Sequence, residues 1–214
     1  MNGTRSRIQA ASLLLAALLA AAPALAVEFT AADKAKLAAG KTLKKALPTS
    51  GAKGFYGGTG YTIIAAPAEA VWNAIEDWSS YPKVYPKTVA CAELSRKGNV
   101  SLIRMEMGHE LLSIEYHMTV KRDREKNMIS FDLVPNKPHD IEETRGYWRL
   151  FPQKDGRTLV AYVVATRVPM GIINLLGPKY EEMIERHLLG VPGELKKWVE
   201  SPKGAKYLPK TAAN

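Results

Sequence analysis

The stretch Leu102-Ile103-Arg104-Met105-Glu106-Met107, followed shortly by Leu112-Ser113-Ile114-Glu115-Tyr116-His117-Met118-Thr119-Val120-Lys121, alternates apolar and polar residues with a period of two. Successive side chains of a strand point to opposite faces, so Ile103, Met105 and Met107, then Ile114, Tyr116, Met118 and Val120, share one face of two neighbouring strands. The alternation resumes at Ile129, Phe131 and Leu133, then over residues 146–151 and 158–168, with turn signals such as Lys154-Asp155-Gly156 between the runs. Strands spaced this way build an antiparallel, twisted sheet with one face on a core. The last run is apolar on both sides from Leu159 to Val164, and alternation leaves its register open.

Upstream, Gly60-Tyr61-Thr62-Ile63-Ile64-Ala65 reads as a further strand, and Pro67 opens a helix, PAEAVWNAIEDW, with Val71, Trp72 and Ile75 on its inward stripe. Ser79-Ser80 and Pro82 end it. Downstream, Gly177-Pro178 starts a long helix whose apolar face carries Tyr180, Met183, Ile184, His187 and Leu188 and continues through Val191, Leu195, Trp198 and Val199, with Pro192 as a kink. A stripe of that length has to be buried, and the concave face of the sheet is the surface available to it. The fold class is therefore α+β, a curved antiparallel sheet around a long C-terminal helix.

The chain has 214 residues, 46% hydrophobic and 24% charged, which fits one sizeable globular domain and excludes disorder, a collagen-like repeat and a multi-span membrane protein. The single cysteine, Cys91, and four histidines offer no zinc pattern, so neither metal nor cofactor is expected. Residues 1–26 place Arg5 and Arg7 before an apolar run over 8–22 and end in Ala24-Leu25-Ala26, the pattern of a secretory signal peptide cut before Val27. The run is broken by Gln9, Ser12 and Pro23, which favours cleavage over a permanent anchor. The expected location is the periplasm, soluble after cleavage.

The net charge of +9 sits at the ends. Residues 1–26 carry +2, five lysines against two acids leave +3 in 27–49, three lysines give the tail 201–214 +3, and residues 50–200 keep only +1. That distribution speaks against nucleic acid as a partner. It suits either transient contact with an anionic membrane surface or simple solubility of two tails. Residues 30–47, with Thr30 and Asp33 as a capping box, read as a short basic helix within an N-terminal extension or linker over 27–57. Residues 58–200 form the body.

Within the body, Pro67-Ala68-Glu69-Ala70-Val71-Trp72, then Asp77, Tyr81-Pro82 and Pro86, resembles the opening signature of the START-like (SRPBCC) superfamily, in its polyketide cyclase/dehydrase and coenzyme-Q-binding branch. Gly146, Trp148 and Pro152 look like that branch's G-x-W-x-x-x-P strand, and Gly156-Arg157-Thr158 like the start of its next strand. The resemblance implies a helix-grip fold with a deep apolar cavity between sheet and final helix, used across the superfamily for lipids, sterols, quinones and polyketides. It implies no single activity.

Mapped onto that cavity, the strand residues Met105, Met107, Ile114, Tyr116 and Met118 are candidate lining, with Phe131, Trp148 and Tyr162 from the later strands. The final helix adds Tyr180, Met183 and His187. Flexible methionines suit irregular apolar ligands, although they fill solid cores equally well. His187 is the best candidate acid or base, against the alternative of a satisfied helix histidine. His117 shares a polar face with Lys121 and does not look like a ligand group. Arg145 and Glu143 would form a buried anchor only if Thr144 faced outward. Two segments look like the mouth: Tyr81 to Tyr85 as one lip, and the glycine-bounded apolar run 169–177, with Met170, Ile173 and Leu176, as a lid. The expected function is binding, with transport, of a hydrophobic small molecule such as a lipid, quinone or hopanoid-like sterol; the alternatives are a cyclase/dehydrase-type enzyme and a cell-envelope interaction module.

Overall fold

The computed structural model describes residues 28–47, 55–109, 112–176 and 178–209; the expected signal peptide over 1–26 lies outside them. Residues 35–214 group as one compact unit, to which the following refers. Eight strands among the described residues form one antiparallel sheet. They are β1 (Leu43–Ala46), β2 (Phe55–Ile64), β3 (Thr88–Lys97), β4 (Val100–His109), β5 (Leu112–Asp123), β6 (Met128–Leu133), β7 (Glu143–Pro152) and β8 (Thr158–Arg167). Their order is β1-β2-β8-β7-β6-β5-β4-β3, so β2 reaches across to pair with the last strand.

Among the described residues there are five α-helices: α1 (Ala31–Ala38), which begins in the preceding unit, α2 (Ala68–Glu76), α3 (Tyr81–Val84), α4 (Met170–Leu176) and the longest, α5 (Pro178–Val199), which lies on the concave face. Short 3-10 turns at Trp78–Ser80 and Pro202–Tyr207 follow α2 and α5. Pro67 caps α2, whose Ala70, Val71, Trp72, Ala74 and Ile75 are buried. Glu76 at its end accepts Trp72 Nε1 at 2.6 Å and pairs with the buried Arg122 of β5, which pins α2 to the end of the sheet.

The structure corrects the reading of residues 30–47 as one helix. Thr30 and Asp33 do form the expected capping box, each backbone N–H reaching the other's side chain, at 3.3 and 3.1 Å. The helix then stops at Ala38, because Gly40 adopts φ 73° and closes a Schellman motif: Lys41 N–H donates to Lys36 O and Gly40 N–H to Leu37 O, both at 3.0 Å. Leu43–Ala46 becomes an edge strand on β2, with Leu43 buried and Lys44 and Lys45 exposed, a composition that blunts an open edge. Strand β2 also begins earlier than expected, at Phe55. Gly57, which read as the end of the linker, and Gly58 lie inside it at φ 146° and 150°. A Cβ there would stand 2.1 Å from Val164 O or Lys45 O, so only glycine admits neighbours this close on both sides.

Register is now fixed for β8. Val160, Tyr162, Val164 and Thr166 are buried on it, and Tyr162 opposes Trp148 of β7 and Gly60 of β2. Helix α5 crosses β2 at Gly60, where a Cβ would meet Pro192 Cγ at 2.6 Å; the proline sits inside a continuous helix and packs its ring against the missing side chain. At the far end Lys196 Nζ donates to Ile63 O at 2.8 Å, and Ala65 N–H donates to Glu200 Oε1 at 2.8 Å. The tail is not wholly free: Pro202–Tyr207 folds back, and Lys206 pairs with Asp77 at 2.6 Å. Among the described residues no helix is long and apolar enough to cross a membrane.

Candidate functional site

Between the sheet and α5 lies a cavity in two adjoining chambers, about 90 and 460 Å³ in volume. The alternation of the strands aims one face of β4 to β8 inward, and these residues make the floor of the smaller, inner chamber: Met105, Met118, Phe131, Trp148 and Tyr162 all line it. Trp148 and Tyr162 touch with ring centroids 4.4 Å apart, and Phe131 stacks on Tyr162 at 6.0 Å. A second aromatic set comes from the turns after α2, where Trp78 meets Tyr81 at a tilt, with centroids 5.0 Å apart, and Tyr81 meets Tyr85 edge to face at 4.7 Å. Met107, Tyr116, Tyr85, Thr166, His187, Leu188 and Val191 border both chambers and form the junction.

The outer chamber is bounded by Ile114, Met183, Ile184, Ile141 and Val168, with charged groups Lys44, Lys87, Arg186 and Glu194 around it. Among the described residues no lysine, arginine, aspartate or glutamate lines the inner chamber. The cavity is therefore apolar and uncharged within and charged toward its outer part, an arrangement suited to holding a lipophile by burial and to orienting it with few polar contacts.

Of the residues singled out in the sequence, Met105, Met107, Tyr116, Met118, Phe131, Trp148, Tyr162 and His187 come together around the inner chamber, and Ile114 and Met183 join the outer one. Tyr180 and Leu176 are outside the residues whose side chains the structure describes. The two lips require correction. Tyr81 and Tyr85 are buried walls of the inner chamber, and Tyr81 donates its hydroxyl to Ile75 O at 2.8 Å. In the lid, Met170 is 46% exposed, whereas Ile173 is 3% exposed and packs with Tyr56 and Val168, against Ile184 and Leu188. Helix α4 is thus seated on the wall of the outer chamber through Ile173 and shows Met170 to solvent.

Thr144 faces inward and shares a 2.9 Å hydrogen bond with Thr166, so Glu143 and its partner Arg145 lie on the other face and supply no cavity anchor. His117 is on the outer face but buried, its Nδ1–H donating to Pro138 O at 2.9 Å under the β6–β7 connection. Thr144 and Thr166 were legible by extending the alternation two residues past Gly146 and Val164. Trp78 followed from the end of PAEAVWNAIEDW. Nothing in the sequence pointed to Lys44 or Ile141, which reach the cavity from a short edge strand and a long loop.

Burial pushes the His187 imidazole below its usual value; Glu194 opposes that and Lys87 adds to it. The ring is neutral at pH 7, and among the described residues no carboxylate or hydroxyl orients it by a hydrogen bond, as a general base would need. Burial also raises the phenols of Tyr81, Tyr85, Tyr116 and Tyr162, which stay protonated, and lifts the Cys91 thiol to about 12, which leaves it unreactive. Among the described residues no three His, Cys, Asp or Glu side chains group to hold a metal ion.

Comparison with known proteins places this geometry. Residues 59–189 match the family model described as polyketide cyclase/dehydrase and lipid transport. A granaticin polyketide synthase bifunctional cyclase/dehydratase from Streptomyces violaceoruber is 27% identical over 130 residues, 58% of this chain, and the match spans only 38% of that relative's length. A START superfamily protein from Mycobacterium smegmatis superposes with a TM-score of 0.55 at 19% identity, over 66% of this chain and 95% of that one. The Zhui aromatase/cyclase from Streptomyces sp. R1128 gives 0.54 at 19% identity, over 69% and 97%. At such identities the two structures establish the fold alone. The match to the family model covers more than half of the sequence, and the chain belongs to the polyketide cyclase/dehydrase and lipid-transport family.

Proposed function

We propose that this protein is an exported carrier that binds a hydrophobic small molecule in its two-chamber cavity and hands it over at a membrane surface. The observation that carries the reading is the 460 Å³ outer chamber, lined largely by apolar side chains and adjoining an aromatic inner one that no charged residue among those described lines. Burying ten methylenes there contributes about 8 kcal/mol before ordering costs, enough to hold a lipid without a covalent step. Lys44, Lys87 and Arg186 by the outer chamber, and the exposed Met170 on the helix seated against its wall, suit contact with anionic lipid during transfer.

The test is to express the full chain with its own N-terminal segment in a bacterium with a periplasm, recover the protein from that compartment, and record native mass spectra before and after organic extraction. A stoichiometric extra mass that extracts as a lipid, quinone or terpenoid supports the carrier. A clean apo mass that persists when lipid is offered overturns it. A second reading, a cyclase/dehydratase-type enzyme, is favoured by the position of His187 at the junction of the chambers and predicts turnover abolished by His187→Ala, where a carrier tolerates the change.

A further inference from the structure

Two hydrogen-bond donors on the wall of the inner chamber have no partner. Trp78 Nε1 and the Tyr85 hydroxyl are buried, in residues 8% and 5% exposed, and neither finds an acceptor among the described residues. Their neighbour Tyr81 shows the contrast, since its hydroxyl is spent on Ile75 O. An indole N–H can only donate, and a phenol kept from water retains a proton to give, so each loses its solvent partner on folding and gains nothing in the empty protein. On the opposite wall the Tyr162 hydroxyl finds no partner among the described residues either, Tyr116 reaches only the weak acceptor Met107 Sδ at 3.8 Å, and the Thr144–Thr166 pair leaves one hydroxyl hydrogen over. Burial keeps the three tyrosines protonated.

The surplus is therefore of donors, in a space where no lysine or arginine among the described residues meets an anion. A carboxylate or phosphate driven into it would lose its hydration without a counter-charge, which is far costlier than seating a neutral oxygen. All the fixed positive charge around the cavity, on Lys44, Lys87 and Arg186, borders the outer chamber. Size points the same way: at about 90 Å³ against about 460 Å³ the inner chamber is far the smaller, room for one end of a ligand and not for its bulk.

We infer that Trp78 and Tyr85 form a subsite for an uncharged, hydrogen-bond-accepting oxygen, so that the ligand enters with a neutral carbonyl-type end leading and leaves its bulk, with any charge, in the outer chamber. This rests on the carrier reading and adds to it a ligand class and a direction of insertion. The aromatic walls at Trp78, Tyr81 and Tyr85 and at Phe131, Trp148 and Tyr162 suit a flat conjugated end.

The experiment compares three probes of nearly one shape by titration calorimetry on the full-length protein recovered after export: 2-acetonaphthone, its hydrocarbon isostere 2-ethylnaphthalene, and the 2-naphthoate anion. The ketone is expected to bind about tenfold more tightly than the hydrocarbon, the worth of one buried hydrogen bond, and more tightly still than the anion. Tyr85→Phe and Trp78→Phe should each bring the ketone-to-hydrocarbon ratio toward one, with circular dichroism confirming the fold of each variant. Equal affinity for ketone and hydrocarbon would show that water or nothing satisfies the donors, and overturns the subsite while the carrier stands. A ratio that survives both substitutions, or an anion that binds best, also overturns it. If no probe binds while the recovered protein still yields a stoichiometric lipid on extraction, the subsite falls and the carrier stands.

Discussion

The hydroxyl of Tyr207 donates to Oδ2 of Asp77 at 2.7 Å and accepts Trp198 Nε1 at 3.0 Å, so the chain's last turn ties the end of α5 to the bend after α2. Asp77 also receives Ser79, Ser80 and Lys206. Burial works against its ionisation, but these four donors outweigh burial and hold the carboxyl far below the usual range. Because Trp78, Tyr81 and Tyr85 follow Asp77 directly, the tail braces the aromatic wall of the inner chamber.

Removing the Tyr207 hydroxyl should therefore weaken the whole domain. Tyr207→Phe is expected to lower the unfolding free energy by about 1–2 kcal/mol in urea titration, since a hydrogen bond to a charged acceptor is lost with little change of shape. A carboxyl with a depressed folded pKa gives stability that is complete above its unfolded value near 3.8 and is lost as pH falls below it. The wild type should thus lose more stability than Asp77→Asn between pH 4 and 2, in melts recorded across that range.

His187 reports on the junction between the chambers. Its folded pKa lies below 6.5, so the unfolded chain takes up the proton first, and stability is full above 6.5 and declines as pH falls through the folded value. Thermal melts at pH 7.5 and 5.5 should show a larger drop for the wild type than for His187→Gln. An equal drop would mean that the ring is not desolvated in solution.

The lid separates into a seating residue and a contact residue. Ile173→Ala should cost about 2–4 kcal/mol, as other buried isoleucines do, because Ile173 holds α4 against Tyr56 and Val168. Met170→Asp should leave the melting temperature unchanged, because Met170 touches solvent, and slow delivery of bound lipid to anionic vesicles several-fold. Unaltered delivery by Met170→Asp would remove the lid from the transfer step.

The sheet was readable because its inward face is apolar strand after strand, and one slip of register would turn Met105, Tyr116 and Trp148 to the wrong side. The cavity lining followed from the same alternation. What the sequence hid was set by tertiary contact. Lys44 and Lys45 look helical beside Ala46 and Leu47 until Gly40 ends α1 and β2 offers an edge to pair with. Ile173 looks like an exposed lip until Val168 and Ile184 are brought beneath it. The tail reads as solvated lysines, yet Tyr207 and Lys206 find Asp77, and no local pattern foretells a partner about 130 positions away.

Pro192 carries one more consequence. Lacking an N–H, it leaves the Leu188 carbonyl without its usual donor four residues on, next to His187 and beside both chambers. The helix gives up one backbone hydrogen bond there, while the proline ring rests against Gly60. Its C-terminal half is tied to the sheet through Lys196 and Glu200, so any bend at the proline would fall on the arm bearing Met183 and His187, and the capacity of the cavity would follow that arm.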